Sequence, residues 1–241
     1  MTAAPEGPPT RDARATVAVA FCPSPPLLHP GIEGRPAPET VELRRACAEA
    51  VDHMLSLGPE VVLVVGGGPA PGARFGPGDR GDLQGFGGDL VVGFAGPVRP
   101  GGRDVPLAHA LGAWLLDEAG FAGTRLGVGP DDLGALVRDL PGPLGVLAVG
   151  DGSARRTVKA PGYLDDAAAP FDAAVARALS AGDAAALAGL DATAGEHLLA
   201  AGTPTWQAVG AALSGRDVVA RLHLDAAPFG VGYLVADWVA A

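Results

Sequence analysis

Three unbroken apolar runs decide what this chain can fold into. Thr16 to Phe21 reads TVAVAF, Val61 to Val65 reads VVLVV, and Leu144 to Val149 reads LGVLAV. A strand with one face in water alternates apolar and polar residues. A strand that stays apolar is covered on both faces, as in the middle of a parallel sheet layered by helices. Helical segments separate the runs. Val41, Leu43, Cys47, Val51, Met54 and Leu55 fall near a 3.6-residue period within 39–57, and Gly58-Pro59 ends that helix. Leu107, Leu111, Trp114, Leu115 and Ala119 share a face within 106–119.

The remaining segments fit the same scheme. Strands are expected at 89–94 and 124–128, and a helix at 131–140. Helices at 167–180, 183–190, 193–201 and 205–213 follow, with Asp183 and Thr193 as N-caps. Segments 217–224 and 231–238 read as closing strands joined by a short connection, which makes the sheet mixed. The expectation is one α/β domain over 15–241, with a central, mostly parallel mixed sheet flanked by helices. The polar, proline-rich residues Met1 to Arg14 read as a disordered tail without the apolar stretch of a signal peptide.

Composition removes several classes of function. A net charge of −10 argues against nucleic acid, whose binders present a basic face. No apolar run reaches the roughly 18 residues of a membrane span. Cys22 and Cys47 have no CxxC or zinc spacing and read as reduced, partly buried thiols of a cytoplasmic protein.

In an open α/β sheet, ligands bind beyond the carboxyl ends of the strands. Three loops of unusual composition leave such ends: CPSPPLLHPG, whose four prolines oppose helix and ladder pairing, GGGPAPG, and GDGSARRTVKAPG. In the third, Asp151, Ser153, Arg155, Arg156, Thr157 and Lys159 bring an acid, hydroxyls and cations together. Lys159 is the only lysine in the chain. The cations are candidates to clamp a carboxylate or phosphate. The bland alternative has Asp151 and Ser153 shaping a turn while the basic residues face solvent. Gly66, Gly67 and Gly68 lack GxGxxG and any following Lys-Ser/Thr, so they read as backbone that something approaches closely rather than a nucleotide loop.

None of the five histidines forms HxH, HxxxH or HExxH. His53, His109 and His197 lie in helices and read as packing or surface residues. His29 and His223, the latter with Asp225 two residues on, are the candidates to face the site. Ser153, His29 and Asp151 form a triad on paper, without the GxSxG elbow. Phe75, Phe86, Trp206 and Phe229 are expected to fill the core.

Three segments together resemble the catalytic chain of the class III extradiol ring-cleavage dioxygenases, a family that includes the LigB-like and Memo-like proteins. The first strand running into CPSPPLL is similar to the family's strand followed by a His-Pro-Pro or His-Ala-Pro loop. VVLVVGGGP stands where a strand ends in a histidine-bearing loop. LAVGDGSARRT, followed by PFDAAVARALSAGDAAAL, resembles the strand, Asp-x-Ser-His turn and helices of the family, and PFGVGYLVADW its closing strand. The resemblance covers Val17 to Trp238.

It implies the α/β fold of that catalytic chain and, in active relatives, a metal, usually ferrous iron, held by two histidines and a third ligand that is a carboxylate or, in Memo-like members, a cysteine. A further histidine acts as acid/base on a catechol. Position by position, Ser24 stands in place of the first histidine, Gly66 to Gly68 in place of the second, and Ala154 in place of the acid/base histidine. Asp151 and Ser153 are kept. The third ligand has no clear counterpart; His223, Asp225 and His29 are the nearest substitutes. Serine and glycine do not replace imidazole on iron.

Three expectations follow. The first is a metal-free member that binds a small anionic or aromatic ligand through Ser24, Gly66–Gly68, Arg155, Arg156 and Lys159, with Asp151, Ser153 and His29 as reactive groups. The second is an iron(II)-dependent dioxygenase with atypical ligands. The third is a non-catalytic protein, homo-oligomeric or part of a larger assembly, that docks through Pro69 to Gly88.

Overall fold

The computed structural model describes residues 16–87 and 90–241; the expected tail at 1–14 lies outside them. In chain order the elements are β1 (Val17–Cys22), α1 (Pro30–Glu33), α2 (Pro38–Ser56), β2 (Val61–Val65), β3 (Arg74–Phe75), β4 (Arg80–Asp82), β5 (Val91–Gly93) and α3 (Leu107–Glu118). They continue with β6 (Thr124–Val128), α4 (Pro130–Asp139), β7 (Leu144–Val149), α5 (Ala168–Ala181), α6 (Ala184–Ala188), α7 (Ala192–His197), α8 (Thr203–Ala212), β8 (Val218–Ala226) and β9 (Tyr233–Ala240).

The main sheet has seven strands in the order β3-β6-β2-β7-β1-β9-β8. Its centre, β6-β2-β7-β1, is parallel throughout. β3, β9 and β8 add antiparallel margins. The three apolar runs are therefore the adjacent strands β2, β7 and β1. All of their residues are buried except Val61, and for Val17–Cys22 and Leu144–Val149 that means both faces. This is the expected single α/β domain.

Each face carries its own helical layer. Ala18, Ala20, Cys22, Val62, Val64, Leu147 and Val149 pack on α2 and α3. Val19, Phe21, Leu63, Val65, Val146 and Trp238 pack on α4, α5, α6 and α8. Trp238 meets Phe21 edge-on at 5.0 Å, and its indole N–H donates to the Leu179 carbonyl at 2.7 Å. A buried indole that finds a partner for its N–H keeps its large apolar contribution without an orphaned donor.

Several local expectations change. The proline loop after β1 contains a 3-10 turn at Pro26–Leu28 and the single helical turn α1. Proline disrupts a helix interior but fits its first position, and Pro26 and Pro30 stand there. The glycine-rich stretch after β2 contains β3 and the start of β4. The strand expected at 89–94 is β5, which pairs only with β4 in a separate ribbon. Phe75, Leu83, Val92 and Phe94 of this region face inward, so its apolar side chains serve the core. Asp183 caps α6 as expected, but Asp191 rather than Thr193 caps α7, accepting the Ala194 amide at 3.0 Å. Phe75 and Trp206 are buried, whereas Phe86 and Phe229 are exposed.

Gly112 brings α3 onto β2. A Cβ there would stand 2.6 Å from Val64 Cγ1 and 3.3 Å from Val149 Cγ2. Alanine would improve helix propensity by up to about 1 kcal/mol, but overpacking a full core costs about 1–3 kcal/mol. Gly112→Ala is expected to lower stability by about 1 kcal/mol in urea denaturation.

Candidate functional site

The parallel centre brings the loops after β1 and β7 together at one edge. The Ser24 amide donates to Asp151 Oδ1 at 2.6 Å, across 127 residues of sequence. Arg44 of α2 pins the β1 loop from behind by donating to the Leu28 and Leu27 carbonyls at 2.9 and 3.2 Å and pairing with Glu33.

Burial pushes the Asp151 carboxyl up to about 6, against the opposing hydrogen bond from Ser24. Buried carboxylates rise because the low-dielectric interior disfavours the charge. Asp151 Oδ2 makes no hydrogen bond to a described residue. Burial and the charge of Asp151 together push the Tyr233 phenol well up. Tyr233 also lines a hollow of about 240 Å³ with Glu39, Glu42, Leu43, Leu224 and Pro228.

Ser153 has a different task. It is fully buried, and its amide and hydroxyl donate to Asp172 Oδ1 and Oδ2 at 2.8 and 2.7 Å. Arg156 donates to the same Oδ2 at 2.9 Å. Asp172, on α5, is fully buried and was not singled out from sequence. The bare Cα atoms of Gly152 and Gly232 make room for it: Cβ atoms there would lie 2.9 and 2.4 Å from its carboxylate oxygens. Backbone bonds from Gly152 to Gly232 and from Gly232 to Ser153, at 2.7 and 2.8 Å, lace the loop to the start of β9. Ser153 thus anchors the loop after β7 to α5.

The cation clamp is not assembled, nor is the triad that Ser153, His29 and Asp151 form on paper. His29 caps α1, its Nδ1 accepting from the Gly31 amide at 3.0 Å, and its ring lies 5.0 Å from Trp114. Burial lowers its pKa, with Glu118 opposing. Arg156 turns inward to Asp172, Lys159 points to solvent, and the buried Arg155 Nε has no partner among the described residues. Among the glycines, Gly66 is packed against Ala108, where a Cβ would come within 2.7 Å, and Gly68 against Pro106. Of the three, Gly67 alone has open space above its Cα.

His223 and Asp225 part company at a bulge between Leu222 and Leu224. His223 turns to the α2 face, where its Nε2 lies 2.5 Å from Asp237 Oδ2 and its Nδ1 lies 3.5 Å from Glu49. The other Asp237 oxygen is 2.5 Å from His53 Nδ1. Asp237 pairs with Ala20, inside the strand rather than at its carboxyl end. His53 is therefore one of two imidazoles on a buried carboxylate, not a bare surface residue. Asp225 lies on the opposite side, its carboxyl pKa raised by partial desolvation against the charge of Arg156. His109 is buried, its Nε2 donating to the Val128 carbonyl at 2.9 Å and its Nδ1 unpartnered among the described residues. Desolvation lowers its pKa and keeps it neutral.

These positions do not fit iron. Ser24 offers a neutral hydroxyl, which does not replace imidazole on iron, its amide is used on Asp151, and the glycines offer no side-chain ligand. No group of three or more His, Cys, Asp or Glu among the described residues is arranged to hold a metal. Cys22 and Cys47 are fully rather than partly buried and hydrogen-bonded to each other, which, with burial, pushes the Cys47 thiol well up. Among the described residues no helix is long and apolar enough to cross a membrane. Compared with protein-family models and with curated proteins, the chain matches none.

The raised Asp151 carboxyl binds a proton more tightly in the folded than in the unfolded chain. Its contribution therefore favours folding below about pH 4 and is lost as pH rises through about 6. Asp151→Asn, which keeps an acceptor for Ser24, is expected to be more stable than the parent by about 2 kcal/mol at pH 7.5 and equal to it near pH 4. Urea titrations at the two pH values check this. Asp172→Ala strands the buried Ser153 hydroxyl and Arg156, and is expected to lose about 3–5 kcal/mol in the same measurement.

Proposed function

We propose that the chain is a relative of the class III extradiol dioxygenases whose iron site has been lost, and that it binds a small, neutral, hydroxyl-bearing aromatic molecule at Asp151. Asp151 carries this reading. It stands at the carboxyl edge of a parallel sheet centre, where α/β folds take ligands. One of its oxygens is fixed by Ser24, and its proton affinity is tuned near neutrality. Perturbed carboxyls in such places are characteristic of functional sites. Below about pH 6 the group donates a hydrogen bond, and above it accepts one from a phenol.

The electrostatics favour a neutral ligand over an anionic one. Two of the three cations that made an anion attractive are removed from the edge: Arg156 pairs with Asp172 and Lys159 is exposed to solvent. Glu39 and Glu42 border the hollow beside Tyr233 and repel negative charge. Loss of the Ser24 and glycine-loop ligands supports binding without iron over the dioxygenase with atypical ligands, because His29 and His223 are committed elsewhere.

The test is a chemical-shift titration of isotope-labelled protein with 4-methylcatechol and, separately, with inorganic phosphate. The catechol is expected to move the amides of Ser24, Asp151 and Tyr233, and Asp151→Asn to weaken it by about tenfold at pH 7.5. Phosphate moving those amides instead, or neither probe moving them, would contradict the reading.

A further inference from the structure

Ten large apolar or aromatic side chains are exposed among the described residues, and half of them sit together. Val158, Tyr163, Leu164, Leu199 and Phe229 stand on three segments tied to one another. The loop after β7 reaches the turn after α7 through the Ala154 amide, which donates to the Leu198 carbonyl at 2.9 Å. It reaches the β8–β9 connection through the Arg156 amide, which donates to the Gly230 carbonyl at 3.0 Å. Gly162 packs against Leu199, where a Cβ would stand 2.7 Å from Leu199 Cδ1. Gly230 packs in the same way on Ala160 and Thr157, with 2.7 Å to each. The five side chains therefore share one surface. Apolar residues scattered singly are normal, whereas a contiguous patch with a polar rim marks an interaction site.

The backbone supports the same reading. Tyr163 and Leu199 have φ of 62° and 57°, and no other non-glycine residue among the described ones has a positive φ. L side chains seldom adopt this left-handed conformation. Hydrogen bonds hold both turns: the Tyr163 amide donates to the Ala160 carbonyl at 2.9 Å, and the Ala200 amide to the Gly195 carbonyl at 2.8 Å. Glycine or asparagine would relieve the strain. Each position instead carries a large side chain, 65% and 47% exposed, that gains little from burial within the chain. Strain that the fold does not reward is characteristic of residues serving a site.

The rim indicates what covers the patch. Lys159, Asp166 and Glu196 are exposed and make no ion pair among the described residues. In a two-fold interface each contact is repeated with the roles exchanged, so the surface must complement itself. Unpaired charges of both signs around an apolar centre meet that requirement. A strongly acidic or strongly basic partner would set like charges against one of the two signs.

We propose that two copies of this chain associate through this surface about a two-fold axis. Tyr163, Leu164, Leu199 and Phe229 form the apolar centre, and Lys159 of each copy faces Asp166 and Glu196 of the other. Aromatic and apolar anchors at such a centre carry most of the binding, and the charged rim sets register. The contact lies outside the segment Pro69 to Gly88 and does not depend on a ligand at Asp151.

The experiment is sedimentation velocity of the full chain between about 2 and about 200 μM, a range that spans weak dimers. The mass is expected to rise from 23.9 kDa toward twice that value. Leu199→Asn removes the anchor and relieves the strain. It is expected to weaken association by at least about fivefold, with a urea midpoint no lower than the parent's. Lys159→Glu is expected to weaken association as well. Mixing that chain with one carrying Asp166→Lys and Glu196→Lys is expected to restore a one-to-one dimer. Phe86→Ser, at an exposed position outside the surface, is expected to leave the dimer intact. A single-chain mass across the whole range would overturn the proposal. So would a dimer unaffected by Leu199→Asn, or one abolished by Phe86→Ser.

Discussion

The carboxyl edge of the sheet depends on one buried carboxylate. Asp172 has no exposed surface and accepts from the Ser153 amide, the Ser153 hydroxyl and Arg156. An unpaired charge in that position would be prohibitive; paired and fully hydrogen-bonded, it fixes geometry. The loop after β7 is thereby tied to α5, with the Asp151 carboxylate accepting from the Ser24 amide. Gly152 and Gly232 are glycines because Asp172 occupies the space their side chains would need.

From that lock the rest follows in order. β1 and β7 are adjacent and parallel, so their loops emerge side by side. The Ser24 amide uses one Asp151 oxygen, and burial leaves the carboxyl titrating near neutrality. The residues that would make such an edge an iron centre are absent from it, and His29, His109 and His223 are spent on helix capping, on Val128 and on Asp237. What remains at the edge is the Asp151 carboxyl with one oxygen held by Ser24, on which the proposed small-molecule site rests.

The strands and long helices were legible because burial on both faces leaves a continuous apolar signature, and α2 and α3 carry a clear helical period. β3, β4 and β5, of two or three residues each, are too short to show a period. Asp151 was legible from its place after a buried strand. The partner of Ser153 was not, because the hydrogen bond spans 19 residues and depends on how α5 docks. A signal existed all the same: Asp172 in PFDAAVARAL and Asp237 in YLVADWVA are acids inside apolar segments, and a buried acid must have partners. The cation cluster misled because sequence proximity does not give direction. Arg156 and Lys159 are three residues apart, yet one points into the core and the other into water.

Metal content tests the central claim most directly. Protein purified anaerobically, incubated with ferrous iron and freed of excess by gel filtration would be assayed by mass spectrometry. An edge built from Ser24, Gly67 and Asp151 predicts iron far below stoichiometric. Near-stoichiometric iron, lost on replacing Asp151 by alanine, would show that the edge still builds a metal centre and would contradict the account.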